Sequence, residues 1–261
     1  MKKLKTKEEL LYDFKKANKN RRLVLANRAG FDTPDEYRQH LINQISNVES
    51  NVTVHNVHIL DSSASMTWYN GSDQTKFQAA KSGIEIEIAE LQKETNVNYI
   101  QTLITFSSQG RYNLEYSKLP IKEAGFPLNV YHGNTALYDA IVETLSNLLD
   151  NKKDNEKVIV KIFTDGRDND SNWGSLEKAK KLINICKRDN ITVTFVGTEK
   201  DVRHVISVLK IDESNTLSHK NDTSSIKESF EATTRSTKTY ASKVLRGEDV
   251  LTGFYKQSGT I

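Results

Sequence analysis

From about residue 51 onward the chain alternates short apolar, β-branched runs with longer segments of helical period, and no other feature limits its fold as tightly. VTVHNVHIL (52–60), YIQTLITFSS (99–108), KVIVKIFTD (157–165) and ITVTFVGT (191–198) read as strands. Helical patterns cover TKFQAAKSGIEIEIAELQKE (75–94), TALYDAIVETLSNLL (135–149), SLEKAKKLINICKRDN (175–190), DVRHVISVLKI (201–211) and SSIKESFEATTRSTKTYASKVLR (224–246). The first of these carries Phe77, Ala80, Ile84, Ile88 and Leu91 on one stripe, which overrules the brief Ile-Glu alternation inside it. Near-continuous apolar strands separated by helices require a parallel sheet covered on both faces. RYNLEYSKL (111–119), as an antiparallel strand, and NTLSHK (215–220) are polar enough for sheet edges.

At 261 residues there is room for one sizeable α/β domain with an appendage. Residues 1–50 are expected to form a basic helical N-terminal extension. Thr33 as N-cap, Pro34 at the first helical position and Glu36 at the third make a strong helix start. Residues 51–246 form the main domain, and 247–261, which lack periodicity, read as a C-terminal tail. The net charge of +3 divides unevenly: residues 1–30 hold ten Lys/Arg against Glu8, Glu9 and Asp13, or +7, and the rest of the chain carries −4. The single Cys186, in a helical pattern, excludes an intrachain disulfide and reads as a buried structural thiol. No apolar run approaches the roughly 20 residues that span a bilayer, and the start lacks the apolar region of a secretory signal. The expected location is a reducing cytoplasm, with no membrane partner.

Three islands stand at or just after the C-terminal ends of the proposed strands, where open α/β sheets place ligands. In DSSAS, Asp61 ends a strand and Ser63 and Ser65 follow in the turn; in GNTALYDAI, Thr135 opens a helix; in FTDG, Asp165 ends another strand. All five side chains offer hard oxygen, with no His or Cys among them. Such a set suits Mg²⁺ or Mn²⁺, with Ca²⁺ as a further candidate, and disfavours zinc. Residues two apart in an extended turn project to one side, so Asp61, Ser63 and Ser65 can face one point. Strand-end carboxylates are costly to bury unless a cation or strong hydrogen bonds compensate.

The three islands resemble the metal-ion-dependent adhesion site of the von Willebrand factor type A family. The family's DxSxS matches Asp61, Ser63 and Ser65, its distal threonine matches Thr135, and its strand-end aspartate matches Asp165. The resemblance runs from about residue 52 to 245. It implies a Rossmann-like, doubly wound, mostly parallel six-stranded sheet with one antiparallel edge strand and helices on both faces. It also implies that the hydroxyls touch the metal while the aspartates act directly or through water. A coordination position is then left open for an Asp or Glu of a partner.

The leading expectation is therefore a Mg²⁺-dependent protein-interaction module of an intracellular complex, and not an enzyme. A DxDx nucleophile, a paired acid and base and a P-loop are all lacking, and no GxSxG context surrounds Ser63 or Ser65 to support a Ser-His-Asp triad. The alternative is a nucleic-acid-associated protein that uses the basic N-terminal arm, with the remaining domain recruiting protein partners. Trp68, Tyr69 and Trp173 flank the islands and are aromatic types favoured at interface hot spots. The two tryptophans are either exposed contacts or lids on their own loops. Asp168 and Asp170 read as a solvated acidic turn with a second role near the metal as the alternative, and His132 as a loop histidine or a lining of the metal face. His55 and His58, inside the first strand, are expected to be packed or hydrogen-bonded.

Overall fold

The computed structural model describes residues 15–17, 19–39, 53–69, 73–126 and 132–256, and divides into two compact units, residues 1–51 and 52–261. Within the first unit, helix α1 (Lys19–Arg28) ends at Gly30, whose φ of 82° is a conformation that suits glycine. The helix that begins at residue 34 starts as the sequence predicts. The Glu36 amide donates to Thr33 Oγ1 and the Thr33 amide donates to a Glu36 carboxylate oxygen, at 3.2 and 3.1 Å, which satisfies two amides reciprocally. Residues 1–14, 18 and 40–50 of the expected N-terminal extension lie outside the described residues.

The second unit is built on β1 (Thr53–Asp61), α2 (Lys76–Leu91), β2 (Asn98–Phe106), β3 (Tyr112–Pro120), α3 (Leu137–Asn151), β4 (Glu156–Phe163), α4 (Ser175–Arg188), β5 (Ile191–Thr198), α5 (Glu199–Leu209), β6 (Thr216–His219) and α6 (Thr223–Leu245). The strands form one sheet in the order β3-β2-β1-β4-β5-β6, with every neighbouring pair parallel except the antiparallel β2 and β3. This is the doubly wound sheet expected from the alternation. Among the described residues, no helix is long and apolar enough to cross a membrane.

The sheet buries both faces. Side chains of β1, β2 and β4 such as Val54, Leu60, Leu103 and Ile159 meet Ile84, Ile88, Phe230 and Tyr240 of α2 and α6 on one side. Val57, Ile59, Val160 and Ile162 meet Ile141, Leu145, Ile183 and Val205 of α3, α4 and α5 on the other. Gly83 lets α2 and α6 approach closely, since a Cβ there would stand 2.3 Å from Cγ of Phe230. The thiol of Cys186 is buried in the second layer and its pKa is pushed up to about 12 by burial, as a structural cysteine requires.

One departure from the sequence reading concerns residues 247–256, expected to be a tail. They fold back onto the domain, and Val250 and Phe254 enter the core beside α6. Their backbone is bonded at several points: Thr192 Oγ1 donates to the Val250 carbonyl, Asn215 Nδ2 to that of Leu251, and the Phe254 and Tyr255 amides to Asn215 Oδ1 and the Ser214 carbonyl. The segment has no period because it is neither helix nor strand. Two apolar anchors and side-chain hydrogen bonds hold it, a pattern that periodicity does not detect. Residues 257–261 lie outside the described residues.

The layer between the sheet and α2 and α6 also holds a chain of polar groups. Asn56 Nδ2 donates to Gln101 Oε1 at 2.8 Å, and Gln101 Nε2 stands 2.6 Å from His58 Nδ1. That geometry makes Nδ1 an acceptor and leaves Nε2–H to face Glu87 Oε2, 2.8 Å away. Lys161 Nζ donates to the other Glu87 oxygen and, at 2.7 Å, to Thr237 Oγ1. Burial opposes the Glu87 charge, but Lys161 and His58 outweigh it and hold the carboxyl well below its usual range.

Burial lowers the pKa of His58, and lowers that of His55 to about 4 against the opposing attraction of Glu156. His55 therefore stays neutral in the native state at pH values where the unfolded chain takes up a proton. Its contribution to stability is complete above about pH 6.5 and is lost as pH falls toward 4. Denaturant unfolding across that window should show stability falling for wild type, and the fall should be shallower by about one proton, or about 1.4 kcal/mol per pH unit, for His55→Gln. Parallel curves for the two proteins would mean that His55 is not held neutral.

Candidate metal centre

The strand order reverses direction of growth between β1 and β4, because the chain moves outward to β2 on one side and to β5 on the other. Crevices at the C-terminal ends of such strands are where this class of sheet binds ligands. Asp61 is the last residue of β1, and Thr164 and Asp165 directly follow β4.

Both carboxylates are fully buried, so the compensation that strand-end carboxylates need must come from within the crevice. Asp61 Oδ1 accepts from the Ser63 amide at 2.7 Å and Oδ2 accepts from Thr164 Oγ1 at 2.5 Å. Burial, helped by the charge of Asp165, nevertheless raises the Asp61 pKa to about 6 against those hydrogen bonds. The Ser63 and Ser65 hydroxyls lie 3.2 Å apart, and Ser65 donates to Asp165 Oδ1 at 2.6 Å. Thr135 reaches the same place from the start of α3. Its hydroxyl and that of Ser65 stand 3.6 and 4.0 Å from the point where a Cβ of Gly166 would lie, so the bare glycine leaves the space between them open. The Thr135 hydroxyl makes no hydrogen bond to any described residue.

The five residues singled out in the sequence, Asp61, Ser63, Ser65, Thr135 and Asp165, thus come together on three loops. The loops are bound to one another as well. Asn169 clamps Thr135, accepting from its amide at 2.8 Å and donating to its carbonyl at 3.0 Å, and the Ala64 amide bonds the Gly133 carbonyl at 2.9 Å. A Cβ at Gly133 would stand 2.2 Å from Ser108 Oγ, and its φ of 135° also requires glycine. Asp168 accepts from the Tyr138 amide at 3.1 Å and Asp170 from that of Gln109 at 2.9 Å, so this acidic turn braces the start of α3 and the β2–β3 loop. His132 is exposed, and its carbonyl accepts from Arg111. Trp68, Tyr69 and Trp173 are all exposed around the crevice, which resolves the two tryptophans as surface side chains and not lids.

Sequence reasoning missed Lys76. Its Nζ donates to Asp165 Oδ2 at 2.6 Å, and the side chain is only 2% exposed. It occupies the first position of α2, behind a capping box made by Thr75 and Gln78. A lysine in the first turn opposes the helix macrodipole, so its position before an apolar stripe was a signal that the charge has a specific partner. Thr164 and Asn169 were also missed. Thr164 sits inside the FTDG island, and Asn169 has no sequence signal because its role depends on where α3 starts.

The donor set fits a small hard cation: three hydroxyls, one of them unengaged, face two carboxylates in a crevice whose Asp61 is poorly stabilised as an anion by hydrogen bonds alone. The sequence profile of the von Willebrand factor type A domain matches residues 57–235. The chain belongs to this family, whose domains mediate protein interactions. No curated protein sequence matches it closely enough to count as a relative. Among solved structures, its fold is similar to pilus adhesin SpaC from Lactobacillus rhamnosus GG, with TM-score 0.59 and 13% identity over 72% of this chain and 31% of that one. The ArnB paralog VWA2 from Sulfolobus acidocaldarius has TM-score 0.48 and 17% identity over 70% of this chain and 45% of that one. The SpRpn10 VWA domain has TM-score 0.48 and 13% identity over 69% and 94%. This chain therefore spans less than half the length of two of these three proteins.

The buried pair changes what mutation of the aspartates does. Removing Asp165 leaves the Lys76 ammonium buried without its partner. Asp165→Ala should lose about 3–5 kcal/mol in chelator, and adding Lys76→Met to it should recover most of that loss in denaturant unfolding. An Asp165→Ala protein as stable as wild type would show that the pair contributes nothing.

Proposed function

We propose that this chain is a Mg²⁺-dependent protein-interaction module that captures an Asp or Glu of its partner. The observation that carries the reading is the meeting of Asp61, Ser63, Ser65, Thr135 and Asp165 at one crevice, with three hydroxyls against two carboxylates. Ser63, Ser65 and Thr135 would hold the ion directly, and Asp61 and Asp165 directly or through water. Mn²⁺ or Ca²⁺ could take its place. When bound, the ion supplies an electrophilic position that an incoming carboxylate can fill.

The chain's own residues divide the remaining work. Asp61 fixes the turn by accepting from the Ser63 amide, and Asn169 fixes Thr135 from both sides of its peptide. The exposed Trp68, Tyr69 and Trp173 would bury against the partner and supply most of the contact area. The reading is one of binding because both aspartates are buried and hydrogen-bonded on both oxygens, so neither is presented to a substrate as an acid or base.

Thr135→Val tests this without removing any hydrogen bond among the described residues, and Ser65→Ala removes those to Ser63 and to Asp165 Oδ1, leaving the Lys76 contact to Oδ2 in place. Immobilised wild type should capture a protein in Mg²⁺ and release it in chelator, and both variants should lose that capture while unfolding at near wild-type temperature. A partner that stays bound in chelator, or that the two variants retain in full, would show that recognition uses another surface.

A further inference from the structure

We propose that Lys76 is a built-in cation of this site, so that a divalent ion enters by exchange for its ammonium at Asp165. The inference rests on the metal-binding reading above and adds what that reading does not contain, a residue that sets the affinity for the ion. Asp165 has no free oxygen: Oδ1 accepts from Ser65 and Oδ2 accepts from Lys76, both at 2.6 Å. The ammonium and carboxylate are almost completely enclosed, so solvent screens the pair little. A divalent ion arriving at the same carboxylate meets a positive charge already in place, and in an enclosed crevice such like-charge repulsion is strong.

Lys76 has both the reach and the place to withdraw. Its ammonium sits on a flexible four-carbon stem. Nζ is already 5.9 Å from the centre of the Trp68 ring, and that ring is exposed. A shift from Asp165 toward the ring face exchanges an ion pair for a cation–π contact and water. Trp68 belongs to the aromatic rim described above. Loading of the ion would therefore move a charge against a side chain that faces the partner, and the tryptophan would report it.

Two opposite roles for Lys76 give opposite signs. A lysine that merely orients Asp165 for the ion would weaken metal binding when removed, whereas a competing cation would strengthen it. Titration of wild type, Lys76→Met and Lys76→Gln with Mn²⁺ and with Mg²⁺ by calorimetry decides between them. Lys76→Gln keeps a hydrogen-bond donor near Asp165 without the charge, and so covers failure of Lys76→Met to fold. Competition predicts that the folded variants bind the ions roughly tenfold or more tightly than wild type. It also predicts that Mn²⁺ shifts Trp68 fluorescence, read in a Trp173→Phe background, in the wild type and much less in the variants. Binding by the variants alone supports exchange in its extreme form, in which Lys76 holds the site closed to ions. Equal or weaker binding by folded variants overturns the inference and leaves the metal site standing. Absence of binding by all three proteins overturns the metal-binding reading, and the exchange with it.

Discussion

The attachment of α2 to β4 is the constraint on which the rest of this domain depends. Two buried ion pairs make it, Glu87 with Lys161 in the strand and Lys76 with Asp165 just beyond the strand's end. Eleven residues separate the two α2 positions, about three helical turns, so the helix is fixed at both ends of its contact with the sheet. A buried ion pair adds little net stability compared with apolar packing, yet it tolerates only one register, because a slip leaves charges unpaired in a low dielectric. The first pair sets the helical layer on the sheet. The second carries that register to the crevice, where it decides which groups face Asp165.

Much of the domain was legible because its chemistry is written in short, contiguous stretches. The parallel sheet covered on both faces follows from β-branched runs separated by helices, and the start of the helix after Thr33 from four residues, Thr33 to Glu36. The meeting of Asp61, Ser63, Ser65, Thr135 and Asp165 was legible for the same reason: each island is a strand end or helix start, and three islands in order converge on one crevice. What could not be read depends on contacts distant in sequence. Lys76 meets Asp165 across 89 positions, and the Glu87 to Thr237 bond closes a polar chain across 150. A lysine at a helix start signals that its charge has a partner without saying which, and a glutamate within an amphipathic pattern looks like a surface residue until the sheet brings its partner to it. The segment from 247 to 256 was misread for a related reason, since an anchored irregular strap and a loose tail share the same lack of period.

The crevice separates the groups that shape it from the groups left available. Asp61, Thr164, Asn169 and Gly133 are spent on holding three loops together, and each is engaged with backbone or buried side chains. The Thr135 hydroxyl and the exposed Tyr69 and Trp173 rings are not so engaged. Rigid support beneath an uncommitted face is what recognition of a second macromolecule needs, because little ordering remains to be done when contact is made.

The returning segment after α6 has a mechanical consequence. Phe254 is wedged in the core, and backbone bonds tie residues 250–255 to Thr192, Ser214 and Asn215 in and beside β5 and β6. Tension applied to the chain beyond residue 256 would meet this anchorage before any of it reached α6. The last helix is thereby insulated from whatever pulls on the chain's end, and the anchorage works as a strain relief between the two.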